Sequence, residues 1–282
     1  MMPTHRGQHD SLLLLNEYLP TIYSLIKDVA KYNKNIIQSY EKKYDQIKKD
    51  IELKGEYLGQ STIFDLFWEA NERIPRKKEF LLFIDNLVFK IISNVDDSKI
   101  NQVRKICYRM ISNFSNDQSQ YTRCLAELCV LEKIVSSKKF TLVQIEKKLE
   151  SGRPFDFHFK SDNKNTYVEV YSIDLEIDKM DSEESFHKFL THRLETKINS
   201  KMRGVTIDQF DFIFVSVLWG EIKELVRFKD VFKSFKEYKF LSPFMIISEY
   251  VSSKDVIFYT FEPVTTFFRR NSLGLGRTKL TY

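Results

Sequence analysis

The sequence predicts an α/β protein in which an all-helical N-terminal region is followed by a mixed sheet flanked by helices. Three observations predict it. Up to about Ser119 the apolar residues recur at helical intervals, with no alternating run. Beyond that point six short runs rich in Phe, Val, Ile and Tyr are interleaved with helical stretches, the pattern of an α/β sheet. With 43% hydrophobic residues, the 282-residue chain can fill a core. The division expected is a helical domain over 1–118 and an α/β domain over 119–282.

The first helical stretch, Leu12 to Tyr32, places Leu15, Tyr18, Leu19, Ile22, Leu25, Ile26 and Val29 on one side, with Pro20 as a kink or break. Asn33 to Leu53 follows. Its lysines (Lys42, Lys43, Lys48, Lys49) alternate with Glu41, Asp45, Asp50 and Glu52, the mark of a solvated helix face more than of a DNA-binding stripe. Further helices are expected at Ser61–Arg73, Lys77–Ser93 and Ser98–Phe114, with Asp96, Asp97 and Ser98 able to cap the last. A helix over Tyr121–Ser136 then leads into strands at Thr141–Ile145, Phe155–Lys160, Thr166–Ser172, Phe210–Leu218, Pro243–Ser248 and Val256–Phe261. Helices are expected at Ser182–Arg203 and Glu221–Tyr238, and the tail after Phe268 reads as irregular.

Composition excludes several classes. The longest apolar runs, Leu12–Leu15 and Phe212–Trp219, fall well below the roughly 18 residues that span a bilayer, so no membrane partner is expected. Asp10 interrupts the N-terminal apolar run and no small-residue cleavage site follows, which speaks against a secretory signal. Cys107, Cys124 and Cys129 lie in apolar helical contexts without metal-type spacing, and read as reduced core thiols of a cytoplasmic protein. Lys and Arg number 44 against 39 Asp and Glu; the resulting +5 permits a nucleic-acid partner without demanding one. There is no phosphate-binding GxxxxGK[ST], and Gly274 and Gly276 lack the strand and helix of a dinucleotide loop. Phe267, Phe268, Arg269 and Arg270 offer base stacking, although an aromatic pair capping a core beside surface arginines is the commoner arrangement.

The informative stretch runs from Gly152 to Ser172. It reads as a β-hairpin turning at Asp162, Asn163, Lys164 and Asn165. Alternation puts Phe155, Phe157 and Phe159 on one side and Asp156, His158 and Lys160 on the other. On the partner strand Val168 and Val170 face the apolar side, with Tyr167, Glu169 and Tyr171 opposite. The sequence leaves the register open, but pairing across the turn can bring Asp156 and Glu169 onto a common polar face, where two carboxylates suit a hard divalent cation. An ordinary hairpin with a solvated polar face is the plain alternative. Two features weigh against it. Glu127 sits in the helix Tyr121–Ser136, which is apolar nearly all round, and a buried carboxylate needs a partner or a metal. Within Ser182–Arg203, Phe186, Leu190, Leu194 and Ile198 form a stripe, and Lys197, Lys201 and His187 project among them while Lys188 and Glu195 fall on the far side. Lysine stems can snorkel past a core edge, yet two inward lysines also suit a site that handles phosphate.

These residues resemble the PD-(D/E)XK nuclease superfamily, whose members share the restriction-endonuclease-like fold. Leu125-Ala-Glu-Leu128 looks like its helix motif, Pro154-Phe-Asp156 like its Pro-Asp element, and Glu169-Val-Tyr171 stands in the Glu-x-Lys place. The similarity covers roughly Tyr121 to Val217, with short motifs. It implies Mg²⁺- or Mn²⁺-dependent hydrolysis of nucleic acid, DNA before RNA, with Asp156, Glu169 and Glu127 as metal ligands. One departure matters: Tyr171 occupies the lysine position. In some members that lysine has migrated to a neighbouring element, and Lys197 or Lys201 is placed for the role, with Lys160 a weaker candidate. The competing expectation is a degenerate nuclease-fold module that binds nucleic acid or a protein partner without turnover. The helical region carries no chemical signature; DNA recognition, homodimerisation and capture of a protein partner are all open to it. A host-defence or mobile-element setting is an association with such nucleases.

Overall fold

The computed structural model describes residues 10–55, 62–71, 75–112, 120–148, 154–161, 164–175, 180–203, 210–219, 225–235, 243–252 and 256–272. Two compact units emerge, one of Met1–Ser93 with Ile100–Leu128, the other of Asn94–Lys99 with Cys129–Tyr282. Seven helices come first: α1 (Asp10–Tyr18), α2 (Pro20–Ile26), α3 (Ala30–Lys54), α4 (Ile63–Asn71), α5 (Pro75–Ile92), α6 (Asp97–Ser112) and α7 (Gln120–Ser136). The boundary between the units falls inside α7.

In the first unit, Pro20 starts a helix instead of kinking one. Its missing N–H costs nothing at the first helical position. Leu19 precedes it and has no side chain that can cap. Asp85 of α5 takes over that role from a distant point in the sequence. Its carboxylate accepts the N–H of Thr21 at 2.9 Å, the N–H of Ile22 at 3.3 Å and the Thr21 hydroxyl at 2.8 Å. Burial pushes the Asp85 carboxyl pKa up, and these three hydrogen bonds oppose the rise. Asp85→Ala is expected to cost about 1–2 kcal/mol, the range for a lost helix cap, in a urea-unfolding comparison with wild type. On α3, the Lys48–Glu52 pair is exposed, as a solvated face requires, whereas Lys43 turns inward to Asp65 of α4 at 3.9 Å. Asp65 also accepts the N–H of Thr62, the reach-back half of a capping box. Leu15, Ile22, Phe64, Phe67, Phe80, Ile84, Val88, Val103 and Met110 fill this unit's core. Cys107, Cys124 and Cys129 are buried free thiols.

The second unit holds one six-stranded sheet, in the order β1 (Thr141–Lys148), β2 (Pro154–Ser161), β3 (Lys164–Asp174), β4 (Phe210–Trp219), β5 (Phe244–Val251) and β6 (Ile257–Pro263). It is mixed: β3 pairs in parallel with β4, and β4 with β5, while the outer pairs are antiparallel. Helix α8 (Glu183–Met202) provides the crossover from β3 to β4 that a parallel pair needs. Helix α9 (Val264–Ser272) follows β6 directly, so Arg269 to Ser272 belong to a helix and not to an irregular tail. The expected helix over Glu221–Tyr238 differs too. Its described part forms two 3₁₀ turns, Val226–Phe228 and Val231–Ser234. Gly274 and Gly276 lie outside the described residues. Phe186 and Leu190 of α8, Phe228 and Phe232 of the turns, and Val264 and Phe267 of α9 share one core with Ile173, Leu218, Phe244 and Ile246 of the sheet. Among the described residues no helix is long and apolar enough to cross a membrane.

Candidate functional site

Strand β3 is central, and every second side chain points to the same face: Tyr167, Glu169, Tyr171 and Ile173. The parallel register sets these beside Phe212, Phe214, Ser216 and Leu218 of β4. Helix α8 covers this face. Its N-terminus is held by Ser182, whose hydroxyl accepts the Ser185 N–H while the Ser185 hydroxyl accepts the Ser182 N–H. Phe186 and Leu190 pack on the Ile173–Leu218 end of the face. The same stripe, continued at intervals of three and four residues, ends in Lys197 and Lys201.

Both lysines converge on Glu169. Lys197 Nζ lies 2.7 Å from Oε1 and Lys201 Nζ 2.8 Å from Oε2. The Glu169 residue is 1% exposed. Oε2 accepts no hydrogen bond of acceptable angle, so the Lys201 contact is ionic and not a directed bond. Each ammonium also faces an aromatic ring: Lys197 lies 5.2 Å from the centre of Tyr171, and Lys201 5.6 Å from that of Phe155. Lys201 donates in addition to the Pro154 carbonyl. One carboxylate thus meets two ammoniums.

Phe155 departs from simple alternation. Its ring neighbours are Tyr167 at 5.7 Å, Phe212 at 5.2 Å and Phe214 at 6.3 Å, whereas Phe157 pairs with Phe159. It coincides with a missing bridge in the ladder, separate from the register shift between Leu142 and Gln144. The β1–β2 pairing steps from Ile145–Phe157 to Lys147–Phe155, and Glu146, which would face Asp156, has a left-handed φ of 56°. Such irregularities re-aim side chains. The regular β2–β3 ladder likewise ends at Phe157–Val168, and one step beyond it the Asp156 Oδ2 accepts the Val170 N–H at 2.7 Å. The polar face, which the plain alternative would leave solvated, is buried around Glu169, with Asp156 half-buried on the adjoining strand.

The other candidates fall elsewhere. Glu127 lies in the first unit and pairs with Arg109 of α6 at 2.9 Å. Lys160 is exposed near the end of β2. His187 stacks on Phe235 at 5.3 Å. His158 stacks on Tyr167 at 4.7 Å and its Nε2 lies 2.9 Å from Asn165 Oδ1; burial lowers its pKa, and the Asn165 hydrogen bond opposes the shift. Among the described residues no three His, Cys, Asp or Glu side chains gather as a metal-binding group. The donor set is the smaller one of two carboxylates on neighbouring strands. Mg²⁺ usually takes only one or two carboxylates, with water and substrate phosphate completing its shell, so two carboxylates suffice in number for an ion held jointly with substrate, although both Glu169 oxygens here face ammoniums.

Two features escaped sequence reasoning. The rings of Phe155 and Tyr171 lie against the two ammoniums; the aromatic residue two positions after Glu169 was the visible signal. A second buried carboxylate, Glu262 of β6, accepts the Ser248 hydroxyl at 2.6 Å and the Tyr250 phenol, and lies 3.2 Å from Arg270. Burial and the Glu262 bond push the Tyr250 phenol up to about 12, so it stays protonated as a donor. Arg270 lies 4.6 Å from the centre of the Tyr250 ring, and Phe267 is buried, which leaves neither for base stacking. No protein-family model matches the chain, and no curated protein or solved structure matches it.

Proposed function

We propose that the chain is a metal-dependent phosphodiesterase acting on nucleic acid, with DNA as the expected substrate. The observation that carries this reading is the pair of ammoniums that α8 delivers to the buried Glu169, on the strand adjoining Asp156. Asp156 and Glu169 would hold Mg²⁺ or Mn²⁺. Bound there, the ion would polarise a phosphoryl oxygen and acidify a water. The chain's own part is electrostatic: an ammonium drawn from Glu169 toward the scissile phosphate offsets charge that grows in the transition state. Tyr171 cannot do this, and the α8 lysines stand in for the residue it replaces.

The test is nicking of plasmid DNA by the purified chain with and without Mg²⁺ or Mn²⁺. Glu169→Gln and Asp156→Asn keep the side-chain shape and should lower the metal-dependent rate by on the order of a hundredfold or more while circular dichroism stays native. Undiminished nicking in either variant would remove that residue from the site. Tyr171 favours a second reading, a nuclease-like module that only binds. Salt-sensitive DNA binding with no cleavage in any metal would select it.

A further inference from the structure

The two lysines on Glu169 are not equivalent. Lys201 meets three partners, Glu169 Oε2 at 2.8 Å, the Pro154 carbonyl and the face of Phe155, and its side chain is 11% exposed. Its contacts tie the end of α8 to the start of β2. Lys197 meets Glu169 Oε1 at 2.7 Å and the Tyr171 ring, with no further partner among the described residues, and its side chain is 29% exposed. An ammonium can leave a carboxylate for an incoming phosphate only if solvent reaches it and other bonds do not anchor it. Only Lys197 meets both conditions. A cation over an aromatic face is held without a fixed direction, so the ring lets the ammonium pivot where a hydrogen-bond acceptor would pin it.

Building on the phosphodiesterase reading, we propose that Lys197 is the substrate-facing ammonium, that Tyr171 is its positioning residue, and that Lys201 is a fixed counter-ion of Glu169. Tyr171 thereby fills the family's lysine position with a platform for the lysine that α8 supplies. When a phosphodiester arrives, the Lys197 Nζ moves from Glu169 Oε1 to a phosphate oxygen. Lys201 keeps Glu169 charged and in place.

Amine labelling of the full chain, read residue by residue by mass spectrometry, tests this without turnover. Metal is omitted, and a DNA oligonucleotide is the probe. Lys197 should label at least about tenfold faster than Lys201, and bound oligonucleotide should slow the labelling of Lys197 alone. Tyr171→Leu should raise the Lys197 labelling rate on the order of threefold, the effect of losing one partly exposed ring contact, and Tyr171→Phe should restore it. Equal labelling of the two lysines, protection centred on Lys201, or no difference between Tyr171→Leu and Tyr171→Phe would overturn the assignment. Oligonucleotide binding is followed in parallel by fluorescence anisotropy. Binding that leaves Lys197 unprotected defeats this inference and spares the nucleic-acid reading. Absence of binding defeats that reading and, with it, Lys197's assigned role.

Discussion

Glu169→Ala should cost about 3–5 kcal/mol of folding stability, because removing one partner of a buried ion cluster strands the others in a poor dielectric. The geometry makes the case severe. Two ammoniums within 2.8 Å lose their shared counter-charge, and the Lys201 side chain is only 11% exposed. Lys197, at 29% exposed, can turn outward and recover part of its hydration. Lys201 has much less freedom to do so. The combined replacement Glu169→Leu, Lys197→Met and Lys201→Met removes every charge at once. Buried ion clusters exchanged for apolar groups of similar volume are often neutral or stabilising, so this variant should recover most of the loss. Urea unfolding of the three proteins decides the matter. A loss below about 1 kcal/mol for Glu169→Ala would mean that water reaches the cluster freely, at odds with its burial. Should the triple variant fold as well as wild type, stability alone does not require the cluster, and a chemical role becomes the better reason for these three charges.

Much of the second unit is legible in sequence because strand and helix periods differ so clearly. The alternation in Thr166–Ser172 puts Tyr167, Glu169 and Tyr171 on one face, and the register keeps them there. The α8 stripe places Lys197 and Lys201 in line with Phe186 and Leu190, which is where the structure has them. Alternation fails at Phe155, because it presumes an unbroken ladder and cannot foresee the left-handed Glu146 or the drop-out of Asp156. The stretch Leu225, Phe228, Val231 carries apolar residues three apart. That spacing serves a 3₁₀ turn as well as an α-helix, and the structure uses the turns. Glu127 illustrates a different limit. An acid on an apolar helix needs a partner, but nothing in the local sequence says whether it is a metal or an arginine; Arg109 comes from the preceding helix. Burial of Glu169 was hidden for a related reason, since a strand's exposure depends on what another element lays over it.

Phe186→Ala should be among the most damaging apolar substitutions in the second unit, at about 3–5 kcal/mol for a fully buried phenylalanine cut to a methyl group. Phe186 is 0% exposed, stacks on Phe228 at 4.5 Å and meets Phe232 edge-on at 5.8 Å, so its ring joins α8 to both 3₁₀ turns. Close-packed surroundings collapse only partly around such a void, and the lost contacts add to the lost burial. Glu195→Ala, on the exposed side of the same helix, should shift stability by less than about 0.5 kcal/mol. The consequence extends to the site, because Phe186 and the two lysines lie along one stripe of one helix. Loosening the N-terminal half of α8 lets the C-terminal half shift, and misplacement by about 1 Å can cost a hundredfold in rate. Under conditions where Phe186→Ala remains folded by circular dichroism, metal-dependent nicking should therefore fall further than the folded fraction does. A rate that merely tracks the folded fraction would show that Lys197 and Lys201 are held by Glu169, Tyr171 and Phe155 alone, without the anchor at the start of the helix.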